Sequence, residues 1–218
     1  MSQAADDGPV THLDLPLSAF LGALAAAEPA PSGGGAAAVT VALGASLCAM
    51  TARLSARQLT QELASELTTE AERLRDRSAS LIQADADSYQ RVLAERRSPA
   101  GAGLPAAASS PPAGAPAGAE RRRRIAAALS AAAAVPMDIM ELAAGVVHLA
   151  ARLAADGNPN LRGDVITAAE LAAGGARAAA ALVAINLAGA PDDERHALAD
   201  RILSEISRCV PAAPGSVP

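Results

Sequence analysis

The segment Pro31–Leu54, PSGGGAAAVTVALGASLCAMTARL, decides how the rest of the chain is read. No charge occurs between Glu28 and Arg53, and three consecutive glycines stand where an apolar helix begins. Glycine at such an entry lets a ligand or a second backbone approach closely, because no Cβ is in the way. Beyond it, the N–H groups of the first turn have no partners within the helix. Val39, Leu43, Leu47, Met50 and Leu54 recur at steps of three and four, and Ala38, Ala42, Ala45 and Ala49 form a small-residue stripe beside them. That period predicts a helix over 36–58 packed among other helices, with the working end of the molecule at its glycine entry.

Residues 33–52 also have about the length of the roughly 20 apolar residues a membrane span needs. Gly, Ala, Ser and Thr dominate them, however, and neither a basic cluster nor an aromatic belt flanks them. The segment therefore reads as a buried bundle helix, and no membrane partner is expected.

The composition agrees. The chain has 218 residues, enough for one sizeable core, and 1–218 reads as a single domain with its helical core over about 15–208. Apolar residues make up 51%, much of it Ala, and Phe20 and Tyr89 are the only aromatics. Strands favour β-branched and aromatic residues and Ala favours helix, so the fold class is all-α. Ala contacts bury little area each, so long helices and a partner subunit are expected.

All 18 basic residues are Arg, and the net charge is −5. Phosphate binding needs a basic face, so no nucleic-acid partner is expected, and Arg121–Arg124 reads as a solvated helix start. Cys48 and Cys209 give neither a disulfide framework nor metal-ligand spacing. MSQAADDGPV at the N-terminus is acidic without an apolar run, unlike a secretory signal. A reduced, cytoplasmic setting is expected.

Outward from the central helix, Asp14 and Pro16 open a short amphipathic helix over 18–27. A third helix is predicted over 61–97, with Leu63, Leu67, Leu74, Leu81, Tyr89 and Val92 inward. Residues 98–118, SPAGAGLPAAASSPPAGAPAG, read as a disordered surface loop. A fourth helix is predicted over 120–156, kinked or split at Pro136, with Gly157 as a left-handed C-cap. Asp164 reads as the N-cap of a fifth helix over 165–188, and a last helix covers 193–208 before a flexible tail over 210–218. The sum is an antiparallel up-and-down bundle of five to six helices, expected to dimerise.

Few residues carry chemistry. Asp85 and Tyr89, four apart, share a helix face, whereas Asp87 is spaced to pair with Arg91. Asp85 is thus the better working carboxylate. Asn186 lies in the apolar run ALVAINLAGA, where an unpaired amide would be costly, so it needs either a carbonyl or a ligand. Asn158 and Asp164 bracket GNPNLRGD, each with a local turn or cap to serve. Asp164 and Asn186 stand about 33 Å apart along one helix, so they meet at one site only if a two-fold partner brings opposite ends together. Glu141 and His148 fall on one face, an arrangement open to an acid–base pair or to a merely accommodated histidine. There is no nucleophile motif, zinc spacing, phosphate-binding lysine or dinucleotide fingerprint.

In order along the chain, SAFLGALAAAEPAPSGGGAAAVTVALGASLCAMTARL (18–54), DADSYQRVL (85–93), VPMDIMELA (135–143), GNPNLRGD (157–164) and AALVAINL (180–187) resemble the cyclodeaminase/cyclohydrolase family. That family comprises the C-terminal half of formiminotransferase-cyclodeaminase and the stand-alone methenyltetrahydrofolate cyclohydrolases. The resemblance implies a dimeric all-α bundle acting on tetrahydrofolate one-carbon derivatives, with no metal and no cofactor beyond that substrate. It implies either cyclisation of 5-formimidotetrahydrofolate with loss of ammonia, or opening of the 5,10-methenyl form with water to 10-formyltetrahydrofolate. The absence of a formiminotransferase half favours the second. A non-catalytic dimer binding folate or a protein is the rival class.

Either reaction passes through a tetrahedral carbon between two folate nitrogens, with a cationic amidine-like species on one side. A carboxylate that stabilises the cation and moves a proton suits Asp85 or Asp164. Ser32, Gly33, Gly34, Gly35, Tyr89, Asn158 and Asn186 are the candidates for holding substrate, and no residue is assigned to a metal. Against the family pattern, Ala30 and Ala36 stand where Thr and Ser are usual. ARQLTQ (56–61) replaces a Lys-rich stretch, leaving Arg57 as an imperfect substitute for a lysine contact to the folate tail.

Overall fold

A computed structural model describes residues 11–98 and 117–212. A 3-10 turn at His12–Asp14 leads to α1 (Leu17–Ala25), α2 (Gly33–Leu54), α3 (Gln61–Arg97), α4 (Ala117–Ala132), α5 (Ala134–Asp156), α6 (Arg162–Asn186) and α7 (Glu194–Cys209). Among the described residues there is no strand. The all-α antiparallel up-and-down bundle is as expected. Helices α2, α3, α5 and α6 form its centre, α2 runs antiparallel to both α3 and α6, and α7 covers α5 and α6. The 99–116 part of the expected loop lies outside the described residues, as does 213–218.

Both predicted stripes of α2 exist, but the small one is buried. Ala38, Val41, Ala45, Cys48, Ala49 and Ala52 face the core, whereas Leu43 and Leu54 are more than half exposed. The reason is how closely the neighbouring backbones lie. A Cβ on Gly44 would stand 2.7 Å from the Ala168 carbonyl oxygen, and one on Gly175 would stand 2.7 Å from Val41 Cγ2 and 3.1 Å from the Ala37 oxygen. No leucine fits a seam that narrow. Helices α2, α4–α5 and the α6 region are each long and apolar enough to cross a membrane by length and composition, and in this fold each contributes to one shared core.

Local chemistry sets the helix ends. Thr60 caps α3 by accepting the Leu63 N–H at 3.2 Å. The helix expected over 120–156 is two helices, broken at Ala133 three residues before Pro136. Proline has no N–H to donate to Ala132, and the Ala133 N–H closes α4 on the carbonyls of Leu129 and Ser130. Gly157 is not left-handed: its φ of −82° and ψ of −169° are extended. The next N–H, that of Asn158, bonds Ser55 Oγ at 2.9 Å and so turns away from the α5 carbonyls. Glycine is needed there for space, since a Cβ would meet Ser55 Oγ at 3.1 Å and the Leu153 oxygen at 2.5 Å. Asp164 lies in the first turn of α6 and is not its N-cap; Asn158 caps the preceding 3-10 turn through the Asn160 N–H. At the other end, Val210 packs on the core and Ala212 accepts a bond from Arg162, so the expected free tail begins later than residue 210.

Polar contacts pin the outer helices. His148 Nε2 meets Glu205 of α7 at 3.1 Å, so its partner is not Glu141. Arg195 donates to Asp193, to the Ser130 carbonyl and to Ser130 Oγ, joining α7 to the end of α4. Its guanidinium holds the Asp193 carboxyl far below the usual carboxylate range. Asp87 accepts from Gln83 at 2.8 Å and forms no pair with Arg91.

Cys48 is sealed in the core, where burial pushes its thiol up to about 12. Below pH 9 both folded and unfolded states hold the neutral thiol. Above it only the unfolded chain ionises, so stability is lost as pH rises towards 12. Urea melts at pH 8 and pH 10.5 should therefore show wild type losing about 2 kcal/mol more than Cys48→Ala does over the same interval.

Candidate functional site

The α2 N-terminus is capped by a carboxylate from another helix. Ser32 occupies the N-cap position, yet its hydroxyl makes no bond to the α2 backbone and instead donates to Asp85 Oδ2 at 2.8 Å. The third N–H of the helix, that of Gly35, donates to the same oxygen at 3.0 Å. Asp85 thus does what an N-cap side chain usually does, and its negative charge sits at the positive end of the α2 dipole. It reaches that position because Gly34 has no side chain. A Cβ there would lie 2.0 Å from Asp85 Oδ1 and 2.3 Å from its Cγ. The three glycines begin α2 and are not a loop before it, and they divide the work. Gly34 seats the carboxylate, Gly35 donates to it, and Gly33 is exposed with nothing within 4 Å of its missing Cβ.

Beside this junction opens a cavity of about 540 Å³. Glu28 and Pro29 from the α1–α2 loop line it together with Ser32 and Gly33. One face of α3 supplies Asp85, Ser88, Tyr89, Val92 and Arg96, and Leu129, Ala132 and Pro136 close it from α4 and α5. Leu182, Ile185 and Asn186 bring in the end of α6. The volume lies within the range typical of small-molecule sites; α4 and α5 supply apolar wall, and most of the polar groups come from the α2 entry and α3. Tyr89, expected on the inner face, is 37% exposed at the cavity wall and presents its ring to whatever enters.

Of the sequence-predicted residues, Ser32, Gly33, Asp85, Tyr89 and Asn186 line this cavity, with Gly34 and Gly35 holding Asp85. Asn186 is half-buried in it, and among the described residues its amide makes no hydrogen bond. The core partner that burial would have demanded is not required where the amide faces an open cavity. Asn158 and Asp164 do not join them. Asn158 donates to the Leu54 carbonyl at the far end of α2, and Asp164 is 22 positions, or about 33 Å, from Asn186. Among the described residues no cluster of three metal-ligating side chains occurs.

Sequence reasoning missed Arg96, Ser88 and the α4 wall. The signal for the first two was present, since 85, 88/89, 92 and 96 follow the helical step of three and four that singled out Asp85 and Tyr89. The α4 wall depends on the basic run. Arg121 donates to the carbonyls of Ser98 and Arg96, and Arg124 pairs with Glu95 at 3.1 Å, so the two arginines fasten α4 to the end of α3. The run is therefore only partly a solvated helix start. A second groove, of about 650 Å³ between α6 and α7, holds Glu170 and Arg177 but none of the predicted site residues.

The fold matches that of formiminotetrahydrofolate cyclodeaminase from Thermotoga maritima, known from a crystal structure at 2.80 Å. The TM-score is 0.72 at 23% identity, over 90% of this chain and 92% of that one. No curated protein matches the sequence. Residues 16–205 match the family model described as formiminotransferase-cyclodeaminase, a span that runs from the start of α1 into α7 and takes in every element lining the cavity. The chain belongs to the formiminotransferase-cyclodeaminase family.

Proposed function

We propose that this protein acts on the one-carbon bridge of a tetrahydrofolate derivative, opening 5,10-methenyltetrahydrofolate with water to 10-formyltetrahydrofolate. The observation that carries the reading is Asp85, a carboxylate fixed by Ser32 and Gly35 on the wall of a cavity lined by Tyr89 and Asn186. The methenyl carbon is the centre of an amidinium cation, which an adjacent carboxylate stabilises. When water adds to that carbon, Asp85 takes the proton released. As the carbon–N5 bond breaks, that proton passes to N5, the hydroxyl on the tetrahedral carbon gives up its own proton to solvent as the carbonyl forms, and the formyl group stays on N10. Tyr89 offers a face for the pterin ring, and the Asn186 amide offers a donor and an acceptor for its edge.

Cyclodeamination is the second reading, favoured by the activity for which the Thermotoga maritima fold neighbour is named. There N10 attacks a formimino carbon, ammonia leaves, and the same carboxylate faces the same kind of cation. A non-catalytic folate- or protein-binding dimer is the third. Two substrates separate them. Methenyltetrahydrofolate decay faster than in buffer supports hydrolysis, ammonia from formimidotetrahydrofolate supports deamination, and folate binding with neither overturns the enzyme. Asp85→Asn keeps an oxygen to accept from Ser32 and Gly35 but loses the charge. It should lower kcat by on the order of 100-fold while leaving the helical circular-dichroism signal unchanged.

The same reading holds the protein to be a cytoplasmic homodimer that needs no further cofactor and binds neither nucleic acid nor membrane. The net charge of −5 supports the part about nucleic acid, and the half-exposed apolar Leu43 and Leu54 on the outer side of α2 support the homodimer.

A further inference from the structure

We infer that Arg96 is the specificity residue for the acidic end of the substrate, binding a carboxylate of the p-aminobenzoyl-glutamate tail while Asp85 faces the one-carbon bridge. The inference rests on the folate reading above and adds to it a residue that the sequence did not single out. The carboxylates that line the cavity are Glu28 and Asp85, from the loop leading into α2 and from the part of α3 that caps it. Arg96 is the one guanidinium among its described lining residues. It lies eleven positions after Asp85, three turns along the same face of α3, which sets the two backbones about 16 Å apart. The cavity is therefore electrically polar along its length. Its anionic end suits an amidinium and its cationic end suits a carboxylate, the two charges that a methenyltetrahydrofolate carries at opposite ends of a rigid aromatic spacer.

Arg96 is also free for this use. Its carbonyl is held by Arg121, which fixes the backbone, and the adjacent Glu95 is occupied by Arg124. Among the described residues its own guanidinium makes no ion pair or hydrogen bond, and its side chain is exposed. A guanidinium presents two parallel N–H groups to a carboxylate, a contact that an exposed lysine makes less well. Within one chain Arg57 does not reach this cavity, because it follows the far end of α2, beyond Ser55.

Equilibrium dialysis with 5-formyltetrahydrofolate and with the primary amide of 5-formyltetrahydropteroate, which lacks glutamate and carries no carboxylate, tests the assignment. Wild type should bind the glutamate-bearing ligand about tenfold more tightly, the value of one charge-assisted contact at an accessible site. Arg96→Ala should bring that ratio close to one, Arg96→Lys should restore part of it, and Arg57→Ala should leave it as in wild type. A ratio that survives Arg96→Ala, or that Arg57→Ala abolishes, overturns the role of Arg96. So does a wild type that binds both ligands equally, and in each of these cases the folate reading stands. Wild type that binds neither ligand overturns both.

Discussion

Gly34→Ala should lower turnover by on the order of 100-fold with almost no change in melting temperature. The new Cβ would stand within 2.0 Å of Asp85 Oδ1 and 2.7 Å of Oδ2, closer than any contact a side chain tolerates. Asp85 is too short to bend away while keeping its bonds to Ser32 and Gly35, so the carboxylate must leave its seat. A displacement of about 1 Å at a reacting group is enough for a loss of that size. The effects on stability oppose each other. Losing a cap costs about 1 kcal/mol, and replacing glycine by alanine in a helix gains nearly as much. Activity should thus fall without unfolding, which separates this variant from an ordinary packing mutant. Gly22→Ala, in α1 with nothing within 4 Å of the added carbon, is the control. Full turnover in Gly34→Ala would mean that Asp85 does not act from where it is held.

Gly44→Ala should have the opposite profile, a loss of stability with no direct effect on the site. Its Cβ would meet the Ala168 oxygen at 2.7 Å and Val146 Cγ1 at 3.3 Å. The first is backbone and cannot rotate away, so α2 and α6 must separate. Inserting one carbon into so tight a seam costs about 2 to 3 kcal/mol, and at about 2 to 4 °C per kcal/mol for a chain of this length the melting temperature should drop by roughly 5 to 10 °C. Gly163→Ala, open on all sides in the first turn of α6, should be neutral or slightly stabilising by the same measurement. Equal effects at the two positions would show that the close approach of α2 and α6 is not what glycine serves there.

These positions also mark where sequence reading succeeds and where it stops. The α3 limits follow from its own residues, so the span 61–97 was legible. Periodicity also placed Asp85 and Tyr89 on one face, and it held the same information about Arg96. The two stripes of α2 were equally visible, but nothing local says which one is buried. That choice belongs to the backbones of α5 and α6, far away in sequence, which leave no room for leucine. Gly157 fails for the same reason, since the shape of its turn is decided by the Ser55 hydroxyl. The purpose of the glycine triplet was likewise unreadable until Asp85 stood over Gly34. That Asn158 and Asp164 belong to the other end could be had by counting residues along α6.

The glycine seam has a mechanical consequence. Where α2 and α6 meet through glycine and alanine, few side chains have room to change rotamer or slide past one another. A ligand arriving at the ends of these helices meets an unyielding floor. The walls beside that floor are held differently: α1 buries one side chain, Phe20, and α4 is fastened by arginines, to α3 through Arg121 and Arg124 and to α7 through Arg195.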